Sequence, residues 1–238
     1  MEQKEQKDLA GGSYQWWPPK DDHVFLFKLN PVRFGFFDRF VPAWDGVNVL
    51  DVGCGGGYAC EHLACRGAVV HGTDLLEEGL EQARCHATET GLKIDYRLCT
   101  IDRLPFDDDS VDVVTCFDVL EHVTDKPRLL GEIQRVLKPG GWLFLDTFTK
   151  SFWSKLFVIW LGEIIIRFMP RGTHDWRLFI DPSDLQRLLT ASRFGEGEFA
   201  GIRPTRRRTP GELPVRIVPE GRKAVIYFAA ARKPPRLA

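Results

Sequence analysis

Asp118, Glu121 and His122 bring two carboxylates and an imidazole together, directly after Val111-Asp112-Val113-Val114-Thr115-Cys116, which reads as a buried strand. If a helical turn begins there, residues three and four apart share a face. Two carboxylates and an imidazole can ligate a divalent cation such as Mg²⁺ or Zn²⁺. Glu121 and His122 can instead hold or take a proton beside a substrate. A third reading has the group cap its loop or orient a substrate with no metal at all. His174, in Gly172-Thr173-His174-Asp175, is a further general-base candidate, or a loop histidine partnered by Asp175.

A second constellation is Val49-Leu50-Asp51-Val52-Gly53-Cys54-Gly55-Gly56-Gly57. An apolar strand runs into a glycine turn, which permits positive φ and close approach of a ligand to the backbone. A dinucleotide fingerprint requires G-x-G-x-x-G. Here Tyr58 stands at the third glycine position, and Asp51 before the turn would repel a pyrophosphate. A carboxylate there suits a ligand with a cationic amino group. Asp74, with Leu75 beside it, closes the next strand, where a carboxylate grips ribose hydroxyls. Thr100 and Ile101 follow the third strand. Asp51, Asp74, the Gly53, Gly55 and Gly57 turn and Tyr58 at the third glycine position together favour an adenosine carrying an amino acid, S-adenosylmethionine, with Leu75, Thr100 and Ile101 as further candidate contacts.

Elements must hold these residues at one edge. The pattern predicts strands at 47–52, 68–73, 94–98, 111–116, 142–147, 197–202 and 223–232, and helices at 57–66, 77–91, 126–137 and 181–193. Short strands alternating with helices imply βαβ crossovers and a doubly wound α/β fold. The expected sheet is mostly parallel and seven-stranded, with a closing antiparallel hairpin. Residues 1–13 read as a disordered arm, and 14–238 as one domain. Within it, 14–46 form an aromatic cover with a helix from Asn30-Pro31 to Phe40. Residues 47–149 form the cofactor core, 150–222 a lid and substrate region, and 223–232 the closing strand. The stretch 152–169 is apolar and aromatic, broken by Lys155, Glu163 and Arg167, and too short to span a bilayer. It reads as a core or lid helix, or as one lying on a membrane surface.

A net charge of −1 argues against nucleic-acid binding. Arg203, Arg206, Arg207 and Arg208, interleaved with Pro and Thr, read as a solvated loop. Six cysteines form no C-x-x-C pair, and the polar N-terminus has no signal-peptide core, so a cytoplasmic setting is expected. Nothing in the pattern sets the oligomeric state.

Asp51-x-Gly53-x-Gly55-x-Gly57 and the Lys138-Pro139-Gly140-Gly141 turn resemble class I S-adenosylmethionine-dependent methyltransferases. Several pieces, in order, resemble the ubiquinone-biosynthesis O-methyltransferase family: Trp16-Trp17, Asn30-Pro31-Val32-Arg33, Val114-Thr115-Cys116, Leu120-Glu121-His122-Val123 and Pro170-Arg171-Gly172-Thr173-His174-Asp175. The likeness covers roughly 14–190. It implies a Rossmann-like methyltransferase fold, in which Thr100 and Ile101 hold the position that lines the adenine, and cofactor contacts from Arg33 and Phe117. It also implies a metal at Asp118, Glu121 and His122, where the family carries glutamate in place of Asp118. The implied substrate is a phenolic or catechol ring with a lipid tail, met through peripheral membrane contact at 152–169. Two alternatives stand beside this: a small-molecule O- or N-methyltransferase of secondary metabolism, and a non-catalytic, cofactor-binding, membrane-docking module.

Overall fold

Strand β1 (Asn48–Val52) lies inside a single sheet, flanked by parallel β2 (Val69–Asp74) and parallel β4 (Val111–Cys116). The computed structural model describes residues 15–19, 22–156, 158, 175–206, 210–219 and 224–236. β3 (Ile94–Leu98) extends one side of the sheet, and β5 (Leu137–Phe148) the other. β8 (Ile226–Arg232), β6 (Glu198–Pro204) and β7 (Val215–Pro219) then add antiparallel, giving the order β3-β2-β1-β4-β5-β8-β6-β7. Strand order reverses at β1/β4, and ligands of open α/β sheets bind outside the carboxyl ends of the strands at such a point.

Helices cover both faces because β1, β4 and β5 are apolar on both sides. On one face, α1 (Asp22–Phe37), α2 (Tyr58–Ala64) and α3 (Glu77–Glu89) pack through Phe34, Phe37, Leu63 and Leu80 onto Val49, Val113, Phe144 and Phe228. On the other, α4 (Lys126–Val136) and α5 (Pro182–Ala191) pack through Leu129, Ile133, Leu185 and Leu189 onto Leu50, Val114, Leu143 and Leu145. Asp125 and Asp181 cap these two helices, accepting from Arg128 N at 3.1 Å and Ser183 N at 2.9 Å.

Three sequence expectations are corrected. The sheet has eight strands among the described residues, not seven. The missed β7 is an edge strand with little buried surface to pattern it. β5 begins at Leu137, not 142: Lys138-Pro139-Gly140-Gly141 lies within the strand as an irregularity, where the register shifts between Val111 and Val113. α1 begins at Asp22 and carries Pro31 internally. A proline there costs about 3 kcal/mol in an isolated helix. In this chain the buried Phe34, Phe36 and Phe37 and the ion pairs of Arg33 hold the helix through it. The arm 1–13, most of 152–169 and His174 lie outside the described residues.

Candidate active site

The glycine turn follows β1 with Gly53, Gly55 and Gly57 all at positive φ (73°, 51° and 83°). Gly53 and Cys54 donate their backbone N–H groups to Thr73 O at 2.7 and 3.0 Å, tying the turn to the end of β2. Asp74 completes that tie. Its Oδ2 accepts from Gly55 N at 2.8 Å and its Oδ1 from Leu76 N at 2.9 Å. Burial raises its pKa, while the backbone donors at Leu76 and Gly55 oppose the rise. Each carboxylate oxygen keeps a lone pair for an outside donor such as a ribose hydroxyl. Leu75 beside it is exposed, and Ile101 is half-buried after β3; both are apolar groups at the same sheet edge. Thr100 is exposed.

Asp51 does not open toward solvent. Its carboxylate accepts from Thr115 Oγ1 at 2.6 Å and from Cys60 Sγ at 3.3 Å, and burial lifts its pKa to about 6. That places it as an organiser of the β1–β4 junction, joining the glycine turn to the strand that leads to Asp118. The aromatic segment before α1 reaches the same turn. The Trp16 indole lies against Gly55 and Gly56, where a Cβ on either glycine would run into it. Trp17 donates from Nε1 to Gly56 O at 2.8 Å and stacks on His86 at 3.5 Å.

On the β4 side, Arg33 comes from α1 and is buried. Its guanidinium donates from Nε to Asp146 Oδ2 at 2.6 Å and from Nη1 to Asn30 Oδ1 at 3.1 Å, pairs with Asp118, and lies over the Phe117 ring at 4.7 Å. Burial alone would lower its pKa, but Asp118 and Asp146 outweigh that and hold it above its ordinary value. The Phe117 ring faces inward, stacked on Phe37 at 5.5 Å.

Two of the three candidate metal ligands, Asp118 and Glu121, engage different partners. Asp118 turns to Arg33. Glu121 is fully buried and accepts from Thr147 Oγ1 at 2.7 Å on the opposite face of the sheet; its Oε1 has no partner among the described residues. His122 ends the short 3₁₀ turn Leu120–His122 and is half-buried. Among the described residues no three His, Cys, Asp or Glu side chains gather to hold a metal ion. With Asp118 committed to a guanidinium and Glu121 directed inward, these residues do not fit the expected metal.

Comparison with known proteins decides the family. A methyltransferase-domain family model matches residues 50–145. The ubiquinone biosynthesis O-methyltransferase of Hahella chejuensis is 41% identical over 202 residues, covering 84% of this chain and 83% of its relative. That of Bordetella bronchiseptica is 37% identical over 206 residues, covering 86% and 82%. The chain belongs to the ubiquinone biosynthesis O-methyltransferase family. Magnesium protoporphyrin IX methyltransferase from Synechocystis shares the fold, with a TM-score of 0.65 at 17% identity over 98% of this chain and 94% of that one.

This O-methyltransferase therefore uses S-adenosylmethionine, as the glycine turn and Asp74 led one to expect. Two site features escaped the sequence reading, Asp146 and Thr147. They point to opposite faces of β5 and hold the two ends of the loop after β4: Asp146 Oδ1 accepts from Asp118 N at 2.8 Å, and Thr147 donates to Glu121. An aspartate inside the apolar run Trp142-Leu143-Phe144-Leu145 was the available signal.

The burial of Glu121 has a consequence for stability. Burial, and secondarily Asp118, raises its carboxyl to about 8 against the pull of Thr147. An acid whose folded pKa exceeds its unfolded value, about 4.3, binds its proton more tightly when folded. Folding is then favoured as pH falls through 8. The ligand-free enzyme is expected to melt a few degrees higher at pH 6.5 than at pH 8.5, and Glu121→Gln to reduce that rise, the remainder coming from Asp146, whose carboxyl is lifted to about 7 by burial. His62, lowered to about 4 by burial, opposes further gain below pH 6.5. A thermal melt that falls between pH 8.5 and 6.5 would overturn this.

Proposed function

We propose that this enzyme transfers the S-adenosylmethionine methyl group to a hydroxyl of a phenolic or catechol ring bearing a lipid tail, a ubiquinone-precursor-like acceptor. What supports the reading is that the glycine turn after β1 and the His122-bearing loop after β4 follow adjacent strands at the β1/β4 switch point, with Gly53 against Val119 of that loop. Asp74 takes the ribose hydroxyls, Leu75 and Ile101 flank the adenine with Thr100 at its rim, and the turn Gly53–Gly57 passes beneath the methionine moiety. Asp51 organises that turn from below. Arg33, standing on Phe117, contacts the cofactor from the α1 side.

When bound, the cofactor supplies an electrophilic methyl group on a sulfonium. The enzyme's own task is to orient the phenol and remove its proton, since a phenol of pKa near 10 is mostly neutral at pH 7. His122 is the proposed general base for that O–H, with His174 as the second candidate. Glu121 supports the turn that carries His122. General bases of this kind contribute roughly 10²–10⁴-fold.

The proposed acceptor also requires a route from a lipid phase. No helix among the described residues is long and apolar enough to cross a membrane. Phe152 and Trp153 are nevertheless 71% and 60% exposed side by side, near Lys150 and Lys155, whose ammonium groups sit 5.3 and 4.9 Å from the Trp176 ring. Exposed aromatics beside lysines suit the interface of an anionic bilayer. The double variant Phe152→Glu/Trp153→Glu is expected to bind anionic vesicles at least tenfold more weakly in sedimentation, with unchanged affinity for S-adenosylhomocysteine. Equal vesicle binding by parent and variant would remove this surface from the proposal. For the acceptor, a series of catechols with increasing prenyl length is expected to show kcat/KM rising with the tail; a flat series would refute the lipid-tailed reading.

A further inference from the structure

We propose that Asp146 is a positioning residue of the cofactor site, fixing Arg33 and the backbone of Asp118 together. This rests on the reading of Arg33 as a cofactor contact. Asp146 is fully buried, and each of its oxygens is used by one element of the site. Oδ2 accepts from Arg33 Nε at 2.6 Å, on the helix that covers the sheet edge. Oδ1 accepts from Asp118 N at 2.8 Å, on the loop after β4. The triangle closes because the Asp118 carboxylate itself pairs with Arg33.

Two features show that the arrangement is held. Asp118 sits at φ 55°, a left-handed conformation uncommon for non-glycine residues, which aspartate tolerates better than most and which its partners hold in place here. They act at both ends of the residue, the amide on Asp146 and the carboxylate on Arg33. Arg33 has its Nε, Nη1 and Nη2 engaged by Asp146, Asn30 and Asp118 and its face against Phe117, so the guanidinium has one orientation. Asparagine at 146 offers one acceptor oxygen where two donors now point, so it cannot keep both contacts.

Calorimetry of S-adenosylhomocysteine binding to the ligand-free full chain tests this. Asp146→Asn is expected to raise Kd about tenfold. Leu145→Val, its neighbour on the opposite face of β5, is expected to lower the melting temperature with Kd within twofold of the parent. Asp118→Asn breaks the same triangle from a more exposed corner and is expected to raise Kd severalfold, which keeps the test available if Asp146→Asn does not fold. The double variant is expected to lose less than the product of the two single losses, because both act through Arg33. Unchanged Kd in Asp146→Asn, an equal loss in Leu145→Val, or multiplicative losses in the double variant would overturn the proposal. Arg33→Met separates it from the reading beneath it. Normal binding by Arg33→Met sinks the cofactor contact itself, whereas weak binding by Arg33→Met with normal binding by Asp146→Asn sinks only the positioning role.

Discussion

Asp74→Ala is expected to weaken S-adenosylmethionine binding about a hundredfold, two charge-assisted hydrogen bonds at roughly 1.5 kcal/mol or more each. The loss has two sources that act on one affinity. The proposed ribose hydroxyls lose their acceptor, and Gly55 N and Leu76 N lose theirs. With those amides released, the turn after β1 is no longer tied to the loop after β2 by a side chain, although the Thr73 carbonyl still holds Gly53 and Cys54. Asp74→Asn keeps one oxygen acceptor and is expected to fall between alanine and the parent. Calorimetry with S-adenosylmethionine reads both. An alanine variant within threefold of the parent would contradict the ribose assignment.

His122→Ala is expected to lower kcat about a hundredfold, at the lower end of what a general base supplies. The KM for S-adenosylmethionine is expected to stay within twofold, because the proposed cofactor contacts lie on the β1 and β2 edges and at Arg33. The loss should shrink as the pH approaches the phenol's own pKa, where the acceptor ionises unaided. His122 ends a three-residue turn whose first residue, Leu120, is fully buried, so alanine at 122 leaves the turn anchored. Steady-state kinetics from pH 6 to 10 measures this. A kcat within threefold of the parent at pH 7 would transfer the proton to another group, His174 first.

The parts of the fold that sequence patterning revealed are those whose side chains answer to local geometry. β1, β3 and β4 are uniform apolar or alternating runs bounded by turn residues, and β4 falls at 111–116 as the pattern predicts. The glycine turn was legible for the same reason: positive φ selects glycine residue by residue. Pro31 misled because its local cost is real, but the aromatic contacts and the Arg33 pairs that override it come from β4 and β5, more than eighty residues away.

The site was half legible. Asp74 is found at the strand end where the pattern put it, and there it accepts from Gly55 N and Leu76 N. Asp118, Glu121 and His122 suggested a metal through their types, their spacing and the family likeness, none of which reveals where each side chain turns. Asp146 and Thr147, on a strand distant in sequence, draw Asp118 and Glu121 to opposite faces of the sheet, and only the fold brings them there. Asp51 kept its predicted place at the turn, yet its partners are Thr115 and Cys60 beneath the sheet edge.

The most direct measurement is methyl transfer itself: purified enzyme, S-adenosylmethionine carrying a ¹³C methyl group, and a prenylated catechol presented in vesicles. The expected result is S-adenosylhomocysteine and one O–¹³CH₃ product in equal amounts, with the label on ring oxygen by NMR. Label on nitrogen or carbon, or no transfer to any catechol while S-adenosylhomocysteine still binds, would contradict the account.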